Sequence, residues 1–243
     1  MTRLFETSRP VFRRLTQDNP TIRGYFPVGS EQAIGAPEPD RKAYFEFIPG
    51  EDLAEPLMSA VSDAYTRLLS TLRSQTDLIA SGIAPDYSDQ LKALLDRAPS
   101  PVLRITHYPS HGGLKVANHP HTDIDLVTFF PRATAPGLQL ASHDGWHEIQ
   151  IDEESIAVFG GEMLELMGGP AAEVHRVVCD GERLSVSFFV NANPEERLPD
   201  GKPAATVLEE RIRLVRRSPK AGESLERATR ASRRPQGSDV GGE

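Results

Sequence analysis

Cysteine is almost absent. Cys179 stands alone in 243 residues, which excludes an intramolecular disulfide and any zinc or iron–sulfur site built from several thiolates. Long apolar runs are missing too. No stretch approaches the roughly 18 apolar residues of a membrane span, and the opening MTRLFETSRPVFRR lacks the apolar centre of a secretory signal. The expectation is a soluble, cytoplasmic chain. Positive charge is also short: 27 Lys and Arg against 35 Asp and Glu leave a net charge of −8, which argues against a nucleic-acid partner, because phosphate contacts need a dense field of Lys and Arg. The deficit is uneven. Residues 202–243 carry 10 basic and 6 acidic side chains, a net of +4, leaving 17 basic and 29 acidic, a net of −12, in residues 1–201.

Apolar residues make up 38% and charged residues 26%, enough for one sizeable core with some chain outside it. The pattern divides the chain in order. Residues 1–100 read as a flank of helices and loops: a helix over 3–16, a Gly- and Pro-rich loop over 21–50, an amphipathic helix between Glu51 and Ala80 with Leu53, Leu57, Val61, Tyr65, Leu68 and Leu72 on one face, and a shorter helix over 87–97. Residues 101–195 change texture, with short β-rich runs such as VLRITHY, DLVTFF, SIAVFG and RLSVSFFV between turns. Many short strands at that spacing indicate a sandwich or barrel. A further helix is expected within 196–217, and 218–243, with almost no apolar content, is expected to be disordered.

Three side chains inside the β region suggest a metal centre. His121 and Asp123, one residue apart, share a face if they lie on a strand, and His175 offers a third ligand. Two imidazoles and one carboxylate on one side of an ion leave positions open, as in non-haem Fe(II) oxygenases. Zinc fits less well, since a closed structural zinc site wants a fourth protein ligand. Downstream, Arg183 and Ser185 alternate onto one face, a guanidinium beside a hydroxyl that suits the carboxylate of a small acid. The remaining histidines, among them His107, His111, His143 and His147, have no partner set and read as loop or surface residues. His119 precedes the triad closely enough to line a pocket mouth. Met163 and Met167 read as core or pocket lining, and Cys179, in the polar turn VCDGER, as a non-catalytic thiol.

Taken together, LRITHYP (103–109), His121-Thr122-Asp123, Gly137-Leu138-Gln139, Asp144-Gly145-Trp146, His175-Arg176-Val177-Val178 and Arg183-Leu184-Ser185-Val186-Ser187-Phe188-Phe189 resemble, in order and spacing, the 2-oxoglutarate- and Fe(II)-dependent dioxygenase superfamily, specifically its isopenicillin N synthase-like branch. Arg23-Gly24-Tyr25 and Pro39-Asp40-Arg41-Lys42 extend the likeness upstream. It implies a mainly β fold with flanking helices around a double-stranded β-helix (jelly-roll, cupin-like) core. It also implies iron ligation by the catalytic residues His121, Asp123 and His175, with Arg183, Ser185 and Tyr108 binding 2-oxoglutarate, and O2 as the co-reactant. Phe189 and Asn191, near the end of the last strand, stand where relatives place substrate contacts. A small-molecule substrate, a specialised metabolite by the habits of the branch, would be hydroxylated, desaturated or cyclised with release of succinate and CO2. Asp123 disfavours halogenation, because related halogenases carry a small residue there. Two departures stand out. Thr106 occupies a position where many relatives carry asparagine, and the N-terminal flank is abbreviated, so the barrel is expected to be less covered or covered by a partner chain. Three rival readings remain: an Fe(II) oxidase without 2-oxoglutarate, a non-catalytic jelly-roll binding a small acid, and a zinc hydrolase.

Overall fold

Alternation of period two along residues 183–191 decides which side of the molecule is core and which is cavity. Leu184, Val186, Phe188 and Val190 are fully buried and face the helices, while Arg183, Ser185, Ser187, Phe189 and Asn191 point the other way, into a barrel. The computed structural model describes residues 1–18, 24–50, 57–97, 99–110 and 112–216. In chain order the elements are α1 (Thr2–Asp18), β1 (Tyr25–Phe26), β2 (Ala43–Phe47), α2 (Leu57–Ser74), α3 (Thr76–Ile83), a short 3-10 turn (Pro85–Tyr87) and α4 (Ser88–Asp96). The strands β3 (Ser100–Tyr108), β4 (Lys115–His121), β5 (Val127–Ala133), β6 (Leu138–Ser142), β7 (Gly145–Glu148) and β8 (Ala157–Gly160) follow. Then come α5 (Glu162–Leu166), β9 (His175–Cys179), β10 (Arg183–Asn191) and α6 (Ala204–Val215).

Among the described residues the strands form two antiparallel sheets, ordered β1-β2-β3-β10-β5-β8 and β4-β9-β6-β7. Without β1 and β2, the eight strands β3 to β10 pair first with last and inward from there, the order of a double-stranded β-helix. The larger core lies between the longer sheet and the helices, where Val61, Leu68, Leu72 and Leu91 meet Leu103, Ile105, Phe129 and Phe188. A smaller apolar cluster, including Tyr108, Ala117, Leu138, Phe159 and Val177, fills part of the barrel.

The helix expected across 51–80 is two helices, with residues 51–56 outside those described. The break falls at Gln75 (φ −120, ψ 15), where Ser74 Oγ bonds Thr71 O and Thr76 Oγ1 bonds Leu72 O. Such side-chain bonds to the backbone compete with helix continuation. The tail expected to be disordered, residues 218–243, and Arg23 and His111 also lie outside the described residues. No helix among the described residues is long and apolar enough to cross a membrane.

Candidate active site

His121 ends β4, His175 opens β9, and the two are register partners across that strand pair. Asp123 lies beyond the end of β4 rather than on it, so strand alternation is not what brings the carboxylate in. The turn does: the backbone N–H of Glu162 donates to Asp123 O at 2.8 Å and that of Met163 to Asp125 O at 3.1 Å. Asp123 Oδ1 then stands 3.7 Å from His121 Nε2, and Oδ2 3.6 Å from His175 Nε2. One ligand atom from each of the three residues falls within 4.8 Å of the others, close enough for all three to share an ion.

The surroundings fix which nitrogens face that point. His121 Nδ1 lies 2.7 Å from His119 O and His175 Nδ1 3.0 Å from Glu173 O. A carbonyl accepts only from N–H, so both rings carry their proton on Nδ1 and present a bare Nε2 to Asp123. Burial and the facing His175 push the His121 imidazole down to about 4, leaving it neutral and able to ligate at physiological pH. Burial alone would raise Asp123, but the two histidines and a hydrogen bond from Thr128 Oγ1 at 2.7 Å hold it below the ordinary carboxylate range. Asp125, buried beside Asp123, is pushed well above that range by burial and then by its charged neighbour.

Gly161 sets the turn against α5. A Cβ added there would meet Asp125 O and Oδ1 at 2.4 Å and Asp123 O at 3.0 Å, so only glycine permits the approach. Gly161→Ala is expected to cost about 1–3 kcal/mol and to weaken metal affinity by displacing Asp123. Thermal denaturation and a Co(II) titration check this; a variant unchanged in both would show that the turn is not held in this way.

Arg183 lies deeper in the barrel and is almost wholly buried. Its Nε donates to Ala135 O at 3.0 Å and Pro136 O at 3.2 Å, its Cζ sits 5.2 Å from the Tyr108 ring centroid, and its Nη1 is buried without a hydrogen-bond partner. Register explains the company it keeps: β10 pairs β3 with Arg183 opposite Tyr108 and Ser185 opposite Thr106. A cavity of about 30 Å³ has Arg183, Ser185, Tyr108, Thr106 and all three triad residues in its wall. A buried cation with an unused donor, in one cavity with a metal-ligand triad, fits an anion that chelates the metal at one end and meets Arg183 at the other.

Comparison with known proteins agrees with this geometry. Residues 99–192 match the family model described as the 2OG-Fe(II) oxygenase superfamily, and these residues contain the whole triad, Arg183 and Ser185. The chain is 24% identical over 214 residues, 79% of this chain and 64% of the relative, to a sequence named a probable 1-aminocyclopropane-1-carboxylate oxidase from Dianthus caryophyllus. Against isopenicillin N synthase of Hapsidospora chrysogena it is 28% identical over 113 residues, 45% of this chain and 32% of the relative. The chain thus spans from about a third to somewhat under two thirds of these relatives' lengths. The crystal structure of full-length Neurospora crassa T7H in complex with alpha-KG superposes with a TM-score of 0.64 at 18% identity, over 87% of this chain and 82% of that one, which shows the shared jelly-roll.

A second cavity, of about 360 Å³, has His121 and Asp123 in its wall. Phe189 and Asn191 line it. His119 is not among the residues that line it; its backbone N–H and ring Nδ1 are both 3.0 Å from Asp40 Oδ1. His107, expected on the surface, is buried on β3 with its ring stacked 5.1 Å from that of Phe12. Cys179, expected in a turn, ends β9 inside the smaller apolar cluster, where burial pushes its thiol up. Sequence reasoning missed the charged floor of the larger cavity. Glu31, Glu46, Arg104 and Arg216 interlock there, with Arg104 Nη2 2.6 Å from Glu46 Oε1 and 3.1 Å from Glu31 Oε1. Their signal was a charge embedded in each of two apolar runs, Glu46 in AYFEF and Arg104 in VLRIT.

Proposed function

We propose that this chain is an Fe(II)- and 2-oxoglutarate-dependent dioxygenase that oxidises a small organic molecule bound in the larger cavity. The observation that carries it is the joint presence, in one small cavity, of the converging His121, Asp123 and His175 and the unpartnered Nη1 of Arg183. The triad would hold Fe(II), and Arg183 with Ser185 would hold the distal carboxylate of 2-oxoglutarate, with Tyr108 against the guanidinium. Bound together, these groups supply the oxidising power, consuming O2 and releasing succinate and CO2 as the substrate is hydroxylated, desaturated or cyclised.

The residues of the chain orient the metal ligands. His119 O and Glu173 O keep both imidazole protons on Nδ1, Thr128 keeps Asp123 turned inward, and Phe130 and Phe159 pack on the His175 ring at 5.5 and 5.7 Å between centroids. That packing fixes the plane of the His175 ring. The names of the relatives support a specialised-metabolite substrate. A reducing, cytoplasmic setting suits both ferrous iron and the free thiol of Cys179.

Anaerobic optical titration with Fe(II) and 2-oxoglutarate tests the reading. A saturable visible charge-transfer band is expected, and Arg183→Ala is expected to raise the 2-oxoglutarate concentration at half-saturation by about 10- to 100-fold, the loss of a charge-assisted, bidentate contact. Iron binding without the band would favour the oxidase that needs no 2-oxoglutarate. Absence of iron binding would favour a ligand-binding jelly-roll.

A further inference from the structure

The larger cavity has an unusual charge balance. Four cations stand in its wall among the described residues, and each already faces a carboxylate that also belongs to the wall. Lys42 Nζ is 3.0 Å from Glu31 Oε2 and 3.3 Å from Asp40 Oδ2. Arg104 is held by Glu31 and Glu46, Arg216 Nη2 lies 2.5 Å from Glu46 Oε1, and Arg211 Nε lies 2.9 Å from Glu162 Oε2 at the rim. Four cations therefore meet four carboxylates, setting aside Asp123, which faces the metal position, and Asp125, whose carboxyl bonds Thr128 and the Val190 N–H. The Arg104 guanidinium is also covered by the Tyr44 and Phe189 rings, at 4.1 and 5.0 Å from their centroids. The rest of the wall is mostly apolar, with Ile48, Val102, Ile124, Leu208 and Ile212, and its other polar side chains, such as Gln32, Thr122 and Asn191, are uncharged.

We propose that the substrate of this site is an uncharged, largely apolar molecule that brings neither a carboxylate nor an ammonium group to the cavity wall. A charged group entering here would either stay buried without a counter-ion or have to break an existing ion pair, and both are costly in a partly desolvated site. An uncharged apolar body instead covers the apolar wall and leaves the ion pairs intact. The volume of about 360 Å³ lies within the usual range for small-molecule sites, about 300–1,000 Å³. This inference rests on the reading of the cavity bordered by His121 and Asp123 as the substrate site.

The test uses metal-free protein and matched probes, biphenyl-4-carboxamide and biphenyl-4-carboxylate, titrated by ligand-observed NMR. It needs no turnover, so its outcome is separate from that of the Fe(II) titration. Ile212→Trp, which fills the cavity from the partly exposed face of α6, identifies the binding that belongs to this site. The expected result is saturable carboxamide binding lost in Ile212→Trp, with the carboxylate about tenfold weaker or more. Glu162→Gln keeps the shape of the rim but leaves Arg211 without its counter-ion. It is expected to tighten the carboxylate about fivefold while the carboxamide is unchanged. Carboxylate binding as tight as carboxamide binding at the site sensitive to Ile212→Trp would overturn the proposal, as would carboxamide binding indifferent to that substitution or no carboxamide binding at all. Circular dichroism confirms that both variants are folded.

Discussion

His175→Ala is expected to remove Fe(II) binding at micromolar metal and with it all 2-oxoglutarate-dependent turnover. The reason lies in how little redundancy the site has. Three protein atoms converge on one point, and losing one leaves an imidazole and a carboxylate that no longer enclose an ion from one face. Altering the support of a ligand typically costs about 10- to 100-fold in metal affinity, so removing a ligand itself should exceed that. A graded series makes the test specific. Thr128→Val removes the hydroxyl that bonds Asp123 at 2.7 Å and should fall in the 10- to 100-fold range, whereas His121→Ala and Asp123→Ala should match His175→Ala. His175 is buried against Phe130 and Phe159, so His175→Gln, which fills most of the same space, separates lost ligation from lost packing. Equal Co(II) affinity in wild type and His175→Gln would remove the proposed metal centre.

The sequence revealed the parts of this site that depend on spacing and residue type, and hid those that depend on tertiary approach. His121, Asp123 and His175 were legible because two imidazoles and a carboxylate form a recognisable ligand set, and Arg183 and Ser185 because alternation puts them on one face of a strand. The reason offered for Asp123 needed correction: β4 stops at His121, and backbone bonds from Glu162 and Met163 bring the carboxylate inward. Those bonds join residues some forty positions apart, so no local pattern announces them. His107 and Cys179 were misplaced because polarity was taken as exposure. The His107 ring, on a strand under α1, stacks on Phe12 and meets Glu182 Oε1 through Nε2 at 3.1 Å, while the Cys179 thiol packs in the smaller apolar cluster. The jelly-roll itself was legible from the run of short strands together with the family likeness, since strand count alone does not distinguish sandwich from barrel. The break at Gln75 was not, because apolar spacing continues across it while side-chain bonds to the backbone end the helix.

Glu31→Ala is expected to be the most destabilising single substitution in the charged floor, by about 3–5 kcal/mol, a large part of the 5–15 kcal/mol that holds a typical domain folded. Glu31 is 6% exposed. It accepts a hydrogen bond from Tyr44 at 2.8 Å and from Arg104 at 3.1 Å, and it faces Lys42 at 3.0 Å and Arg216 at 3.5 Å. Removing it leaves three buried cations, Lys42, Arg104 and Arg216, to share Asp40 and Glu46. Glu31→Gln keeps the volume and an acceptor oxygen, so the part of the loss it reproduces in urea denaturation is electrostatic. By contrast, Glu153→Ala at the Arg132–Glu153 pair, whose acid is 81% exposed, should cost less than about 1 kcal/mol. The pH dependence has a definite sign. Burial would raise the Glu31 carboxyl, but Arg104, Lys42 and Arg216 hold it well below its ordinary value of 4.5. Its contribution is therefore fully present above pH 4.5 and fades only as pH falls through the lowered value. The stability gap between wild type and Glu31→Gln should accordingly be constant near neutrality and close in strong acid. A gap that closed between pH 7 and 5 would show that Glu31 is not held ionised by these partners. The same carboxylate also faces Arg216, the residue that follows α6, at 3.5 Å, beside the backbone bridge between residues 31 and 216. Loss of Glu31 should therefore weaken binding of any uncharged probe in the larger cavity along with the fold.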